Sequence, residues 1–151
     1  VFMAKLASLV THDAVHALLV FDLDNFKKIN DNYGHQVGDE CLQAVAEYLR
    51  QTKLRKEDFV ARYGGEEVVI VLTNTDIKGA EEISQRICDG LSQIKLSAEQ
   101  SAIVLTASFG VAELTYNQAS NTTQLLKFAD DALYQAKARG KNQVVTAKMN
   151  A

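Results

Sequence analysis

The residues of this chain best suited to chemistry are acidic and fall in two groups far apart in sequence. Asp22 and Asp24 close an apolar run in FDLDNFKKIND (21–31), and Glu66 and Glu67 follow the Gly64-Gly65 pair of RYGGEEV (62–68). Carboxylates are hard oxygen donors, and Mg²⁺ takes octahedral oxygen coordination in which one or two carboxylates are completed by waters and substrate phosphates. If the two groups converge, they supply that minimum. If they do not, each is an ordinary solvated acidic turn. No His/Cys spacing suggests zinc, and neither GxGxxG nor GxxxxGK[ST] occurs, so a dinucleotide fold or a P-loop is unsupported.

Other side chains gain meaning only from where they end up. Lys27 and Lys28 follow the first acidic group, while Lys137, Arg139 and Lys141 cluster at the end of the last helical stretch. There the helix macrodipole alone also accounts for cations. Asn30 and Asp39 could read a purine edge, since a carboxylate accepts from guanine N1–H and N2–H₂ and an amide both donates and accepts. Each fits a helix-end or capping role equally well. His35, in a Gly-flanked loop, reads as structural, and Tyr33, Tyr63 and Tyr134 as core or edge packing.

The elements that must position these groups follow from periodicity. Residues 1–10 read as an amphipathic helix, and Ala17–Phe21 as a central strand, apolar on both faces, ending at the first acidic group. Asn25 is placed to cap a short helix over 26–33 that stops at Gly34. A loop over 35–38 follows, then a helix capped by Asp39 and running to about Lys53, with Leu42, Val45, Ala46 and Leu49 inward. The run 59–72 reads as a hairpin turning at Gly64-Gly65 in a two-residue loop. A helix started by Asn74-Thr75-Asp76 carries Ala80, Ile83, Ile87, Leu91 and Ile94, a strand is predicted over 103–114, and a helix capped by Thr122 or Thr123 ends at Gly140. Gln143–Thr146 closes the chain as a strand. A hairpin inside an otherwise alternating order predicts one domain over 1–151, with a mixed sheet covered by helices.

Composition narrows the class. The chain has 151 residues, 47% hydrophobic and 23% charged, with no proline, which suits one domain with a real core and no linker. A net charge of −3 argues against a nucleic-acid-binding face and leaves room for a nucleotide, which needs only a few local cations. Cys41 and Cys88 sit in apolar helical patterns, predicting buried free thiols and a reducing, cytoplasmic setting. No run reaches transmembrane length, so no membrane contact by this domain is expected.

Three stretches together resemble the GGDEF domains of diguanylate cyclases: RYGGEEV (62–68), FDLDNFKKINDNYGHQVGDECL (21–42) and ALYQAKARGKNQV (132–144), in the family's order and over nearly the whole chain. The resemblance implies an α/β (α+β) ferredoxin-like palm, as in nucleotide cyclases, with a mixed sheet of about five strands and the GGEE motif on a hairpin. It implies condensation of two GTP to cyclic di-GMP, with release of two pyrophosphates, at the interface of a homodimer. By position, Asp22, Glu66 and the Leu23 carbonyl would hold Mg²⁺ (or Mn²⁺), and Glu67 would be a further ligand or the general base. Asn30 and Asp39 would read guanine; Lys137, Lys141 and Lys27 would meet the phosphates, close to the Gly64-Gly65 backbone. Arg55-x-x-Asp58, with Arg86, resembles the family's inhibitory site for its product, against a plain surface ion pair.

There are three departures from the family pattern. Val68 stands where the signature usually has Phe, and Lys141 where Arg is common, which keeps the charge but loses bidentate phosphate contact. The usual N-terminal DxLT-like turn is absent, so the chain is expected to be excised from a longer protein with upstream sensory or dimerising segments. Two rivals to the enzyme remain: a cyclase-like receptor that binds GTP or cyclic di-GMP without turnover, and a dimerising module with no nucleotide role.

Overall fold

A computed structural model of the chain describes residues 16–52, 54–62, 67–97, 102–114 and 122–147. The predicted first helix and the GGEE tip (Gly64, Gly65 and Glu66, with Tyr63) lie outside these residues.

Five strands form one mixed sheet: β1 (His16–Leu23), β2 (Phe59–Arg62), β3 (Glu67–Leu72), β4 (Ala107–Leu114) and β5 (Val144–Thr146). Their spatial order is β2-β3-β1-β4-β5. β1 runs antiparallel to both neighbours, and β5 joins the far edge parallel to β4. The apolar run predicted to be central is central: Ala17 to Phe21 are fully buried, because helices cover both faces. On one face lie α1 (Phe26–Tyr33), α2 (His35–Gln51) and α3 (Ile77–Leu91), packed over Leu19, Phe21, Ile70 and Phe109. On the other lies α4 (Thr122–Ala138), whose Leu125, Ala129 and Leu133 meet Leu18, Val20, Val69 and Val71. Gly110 lets α4 settle onto β4: a Cβ there would overlap the Ala129 carbonyl. Among the described residues no helix is long and apolar enough to cross a membrane.

Several boundaries differ from expectation. Residues 35–38 are helical, so Asp39 lies inside α2 and does not cap it. The break between α1 and α2 is made by Gly34 alone, at φ 91°. Gly38, read as a loop residue, is buried against α1, where a Cβ would overlap Asn30 Oδ1. Asn25 precedes α1 but its side chain makes no capping bond. In the hairpin Arg62 pairs with Val68, whereas a two-residue loop at Gly64-Gly65 would pair it with Glu67. A one-residue shift exchanges the faces of a strand, and the observed register keeps Phe59 on the α4 side with Val71. β4 begins at Ala107, after a non-strand stretch whose Ile103 and Leu105 are nevertheless buried. Asp76 caps α3 as predicted, accepting from Gly79 N at 2.8 Å. α2 ends at Gln51, short of Lys53. Tyr33 and Tyr134 are exposed, not core, while Cys41 and Cys88 are buried and free as predicted.

Candidate active site

The two acidic groups meet at one end of the sheet. Asp22 on β1 pairs in register with Glu67, the first residue of β3. Residues directly opposite in an antiparallel pair share a face and place their Cβ atoms about 4.5–5.5 Å apart. That face is the α4 side, because Leu18 and Val20 share the parity of Asp22, and Val69 and Val71 that of Glu67. Strand alternation and antiparallel pairing therefore suffice to bring these carboxylates together.

α4 then delivers cations and a third acid to the same face. Lys137, in its last turn, donates to the Leu23 carbonyl at 3.3 Å and lies 3.5 Å from Asp22 Oδ2 and 3.6 Å from Asp24 Oδ1. The ammonium thus touches three successive residues of the strand end. Lys141, beyond α4, donates to Asn25 Oδ1 at 2.7 Å. Both lysines that could have been mere macrodipole partners stand beside the first acidic group. Asp130, two helical turns before Lys137, shares a hydrogen bond with Glu67. Burial pushes the Asp130 carboxyl above its usual range and the Asp131 charge adds to this, while the bond with Glu67 works against it.

Asp24 proves to be internal. Its carboxylate is buried and accepts from Ser108 Oγ at 2.6 Å, Thr106 Oγ1 at 2.8 Å and Asn142 N at 2.9 Å. Asn30 and Asp39 sit on neighbouring helices: the Asn30 side chain rests on Gly38, the residue before Asp39. Lys27 is exposed on α1. Arg55 and Asp58 tie their own loop. Arg55 donates to the Thr73 carbonyl and to Thr75 Oγ1 (2.8 Å), while Asp58 accepts from Thr73 N and Arg55 N, each at 3.0 Å. The Asp58 side chain is 2% exposed and that of Arg55 45%, so of the two it is Arg55 that reaches solvent. Arg86 lies on α3, lining a cavity with Tyr48, Gln51 and Thr52.

Whether a divalent cation suits this end is answered by its donors. Among the described residues no three His, Cys, Asp or Glu side chains converge as a cage. What is present is a carboxylate, a carbonyl oxygen and, across the strand pair, a second carboxylate, and the first two already hold the ammonium of Lys137. Hard oxygens with few protein ligands are the set Mg²⁺ takes when phosphates complete its shell. The residues fit.

Sequence comparison adds what geometry alone does not. The chain matches the family described as "Diguanylate cyclase, GGDEF domain" over residues 2–143. This chain belongs to the GGDEF family. It is 36% identical to diguanylate cyclase A of Treponema denticola over 89% of this chain and 36% of that protein. It is 39% identical to diguanylate cyclase DosC of Escherichia coli K12 over 85% of this chain and 27% of that protein. It thus spans only about a third of the length of these relatives. Among solved structures it is similar to the active GGEEF domain of a Vibrio cholerae diguanylate cyclase, with a TM-score of 0.85, 30% identity, and coverage of 96% of this chain and 90% of that one. The GGDEF domain of DgcB from Caulobacter crescentus, solved with c-di-GMP, aligns with a TM-score of 0.85 at 29% identity, covering 95% and 84%. The expected fold is therefore the fold of the family.

Asp130, Asn142, Thr106 and Ser108 were not singled out by sequence reasoning, and Asn25 was read only as a helix cap. For Asp130 a signal existed: it lies seven residues before Lys137, on the same face of one helix. For the others the partner is remote in sequence, and no periodicity points to it.

Proposed function

We propose that this GGDEF domain is the catalytic domain of a diguanylate cyclase, converting two GTP into cyclic di-GMP and two pyrophosphates between two copies of the domain. The observation that carries the reading is the meeting of Asp22, Glu67 and Lys137 on one face of the sheet. Lys137 and Lys141 would hold the phosphates, with Lys27 adding charge. Asn30 and Asp39 would accept the guanine edge beside Gly38. Asp22, Glu66 and the Leu23 carbonyl would hold Mg²⁺ or Mn²⁺, with Glu67 as a further ligand or the base. Bound there, the ion would neutralise charge on the triphosphate and acidify the attacking hydroxyl. The 3′-oxygen of one GTP attacks the α-phosphorus of the other, and its proton passes to Glu67. A P–O bond forms, the bond to the bridging oxygen of the β-phosphate breaks, and pyrophosphate leaves. Two such steps, one from each copy, close the ring. The protein's part is alignment and charge, which dominate phosphoryl transfer.

Product feedback is part of the proposal. The exposed guanidinium of Arg55 would pair with a phosphate or guanine of cyclic di-GMP, with Asp58 holding the loop and Arg86 joining from α3.

The test is incubation of the domain, dimerised through a fused coiled coil, with GTP and Mg²⁺. Cyclic di-GMP as product supports the reading. Binding of GTP or cyclic di-GMP without turnover replaces it with a receptor, and neither binding nor turnover leaves a dimerising module.

A further inference from the structure

We propose that Asp24 is the positioning residue of the phosphate site, fixing the Lys141–Asn142 turn through its backbone and steadying Lys137 at the end of β1. The inference rests on the reading of those lysines as phosphate contacts.

A buried carboxylate is costly unless hydrogen-bonded and charge-paired. Asp24, 4% exposed, has both oxygens engaged: Ser108 Oγ donates to Oδ1, and Thr106 Oγ1 and Asn142 N donate to Oδ2. Lys137 stands 3.6 Å from Oδ1. The donors come from the start of β4 and the residue before it, and from the turn after α4, so one side chain ties two separate parts of the chain to the end of β1. Asp24 N completes the tie by donating to the Thr106 carbonyl at 2.8 Å.

The backbone carries a second, independent sign. Among the described residues the non-glycine positions with positive φ are Asn25, Asn74, Lys141 and Asn142. Three of the four surround Asp24: Asn25 follows it, Asn142 donates to it, and Lys141 lies between Asn142 and its own contact on Asn25 Oδ1. Left-handed backbone at non-glycine residues costs free energy and persists only where the surroundings over-determine it. Here the surroundings are the Asp24 carboxylate and the Lys141 N to Ala136 carbonyl bond of 3.0 Å. Gln143 Nε2 also donates to the Lys141 carbonyl at 3.1 Å, but the Asp24 carboxylate is what ties the backbone of the turn to the end of β1. An asparagine in place of Asp24 keeps the volume but turns an N–H₂ toward a donor and removes the ionic attraction of this group for Lys137.

The test compares wild type, Asp24→Asn and Ser108→Ala for binding of inorganic pyrophosphate with Mg²⁺ by calorimetry, alongside KM and kcat for GTP. Pyrophosphate reports the lysines without the guanine contacts. Asp24→Asn is expected to weaken pyrophosphate binding about 10-fold, and Ser108→Ala to weaken it less. In a Lys141→Ala background most of the Asp24→Asn effect should vanish, which a general loss of stability would not produce. Folded Asp24→Asn with wild-type pyrophosphate affinity overturns the inference, as does an undiminished effect in the Lys141→Ala background. If Asp24→Asn does not fold, unchanged affinity in Ser108→Ala overturns it. A wild type that binds pyrophosphate but makes no cyclic di-GMP retires the cyclase reading alone.

Discussion

Asp22, Leu23 and Asp24 are consecutive, yet a strand end presents a different atom from each: a half-buried carboxylate, a main-chain carbonyl and a buried carboxylate. The Asp22 side chain forms a partly exposed ion pair with Lys137 at 3.5 Å, and such pairs contribute little to stability. Asp22→Asn is therefore expected to leave the melting temperature nearly unchanged and to lower kcat by about 100-fold or more, as read from cyclic di-GMP formation. Asp130 makes a prediction about pH. Its folded value is raised, so the folded state holds the proton more tightly than the unfolded chain. No stability is lost below the ordinary value of 3.8. As pH rises past it the unfolded chain ionises first, and stability falls until the folded group ionises too. Asp130→Asn removes that loss, so the variant should gain more in melting temperature at neutral pH than below pH 3.8. Arg55→Ala should abolish inhibition by added cyclic di-GMP in initial-rate assays. It should cost about 1 kcal/mol of stability by urea titration, since the bonds to the Thr73 carbonyl and Thr75 are partly solvated.

At the scale of elements, α2 and the β2–β3 hairpin leave an apolar cleft of about 300 Å³ lined by Leu42, Ala46, Leu49, Val60 and Val68, with Arg50 and Arg62. Val68 is where the family signature usually carries Phe. Val68→Phe should occupy the cleft and raise stability by about 0.5–2 kcal/mol, measured as the shift in urea midpoint. The central strand was legible because five successive apolar residues need cover on both faces. α1 was legible to the residue because Gly34 ends it. The start of α2 was not: Gly38 looks like a breaker in sequence, and its reason for being small is Asn30 on another helix. The hairpin register was misread because Gly-Gly suggested the shortest turn, whereas the faces of Phe59 and Val71 decide it. That the two acidic groups could converge was legible, but the pairing of Asp22 with Glu67 comes from the observed register. Asp24 looked like their equal, and only its donors from β4 and the post-α4 turn show that its carboxylate is already committed.

For the molecule as a whole, the proposed chemistry needs two copies, because each bound GTP supplies the nucleophile for the other. At concentrations below the dimer dissociation constant the initial rate should rise with the square of protein concentration, and it should become linear when two copies are joined through a dimeric coiled coil. A strictly linear rate in the unfused domain at every dilution would contradict a shared reaction.

The contact of Lys137 with the end of β1 bears on how such a molecule rests between turnovers. Its one positive charge offsets part of the charge of the two neighbouring acids. In the proposed reaction, loading would exchange that counter-charge for a metal ion and leave the ammonium to the incoming triphosphate.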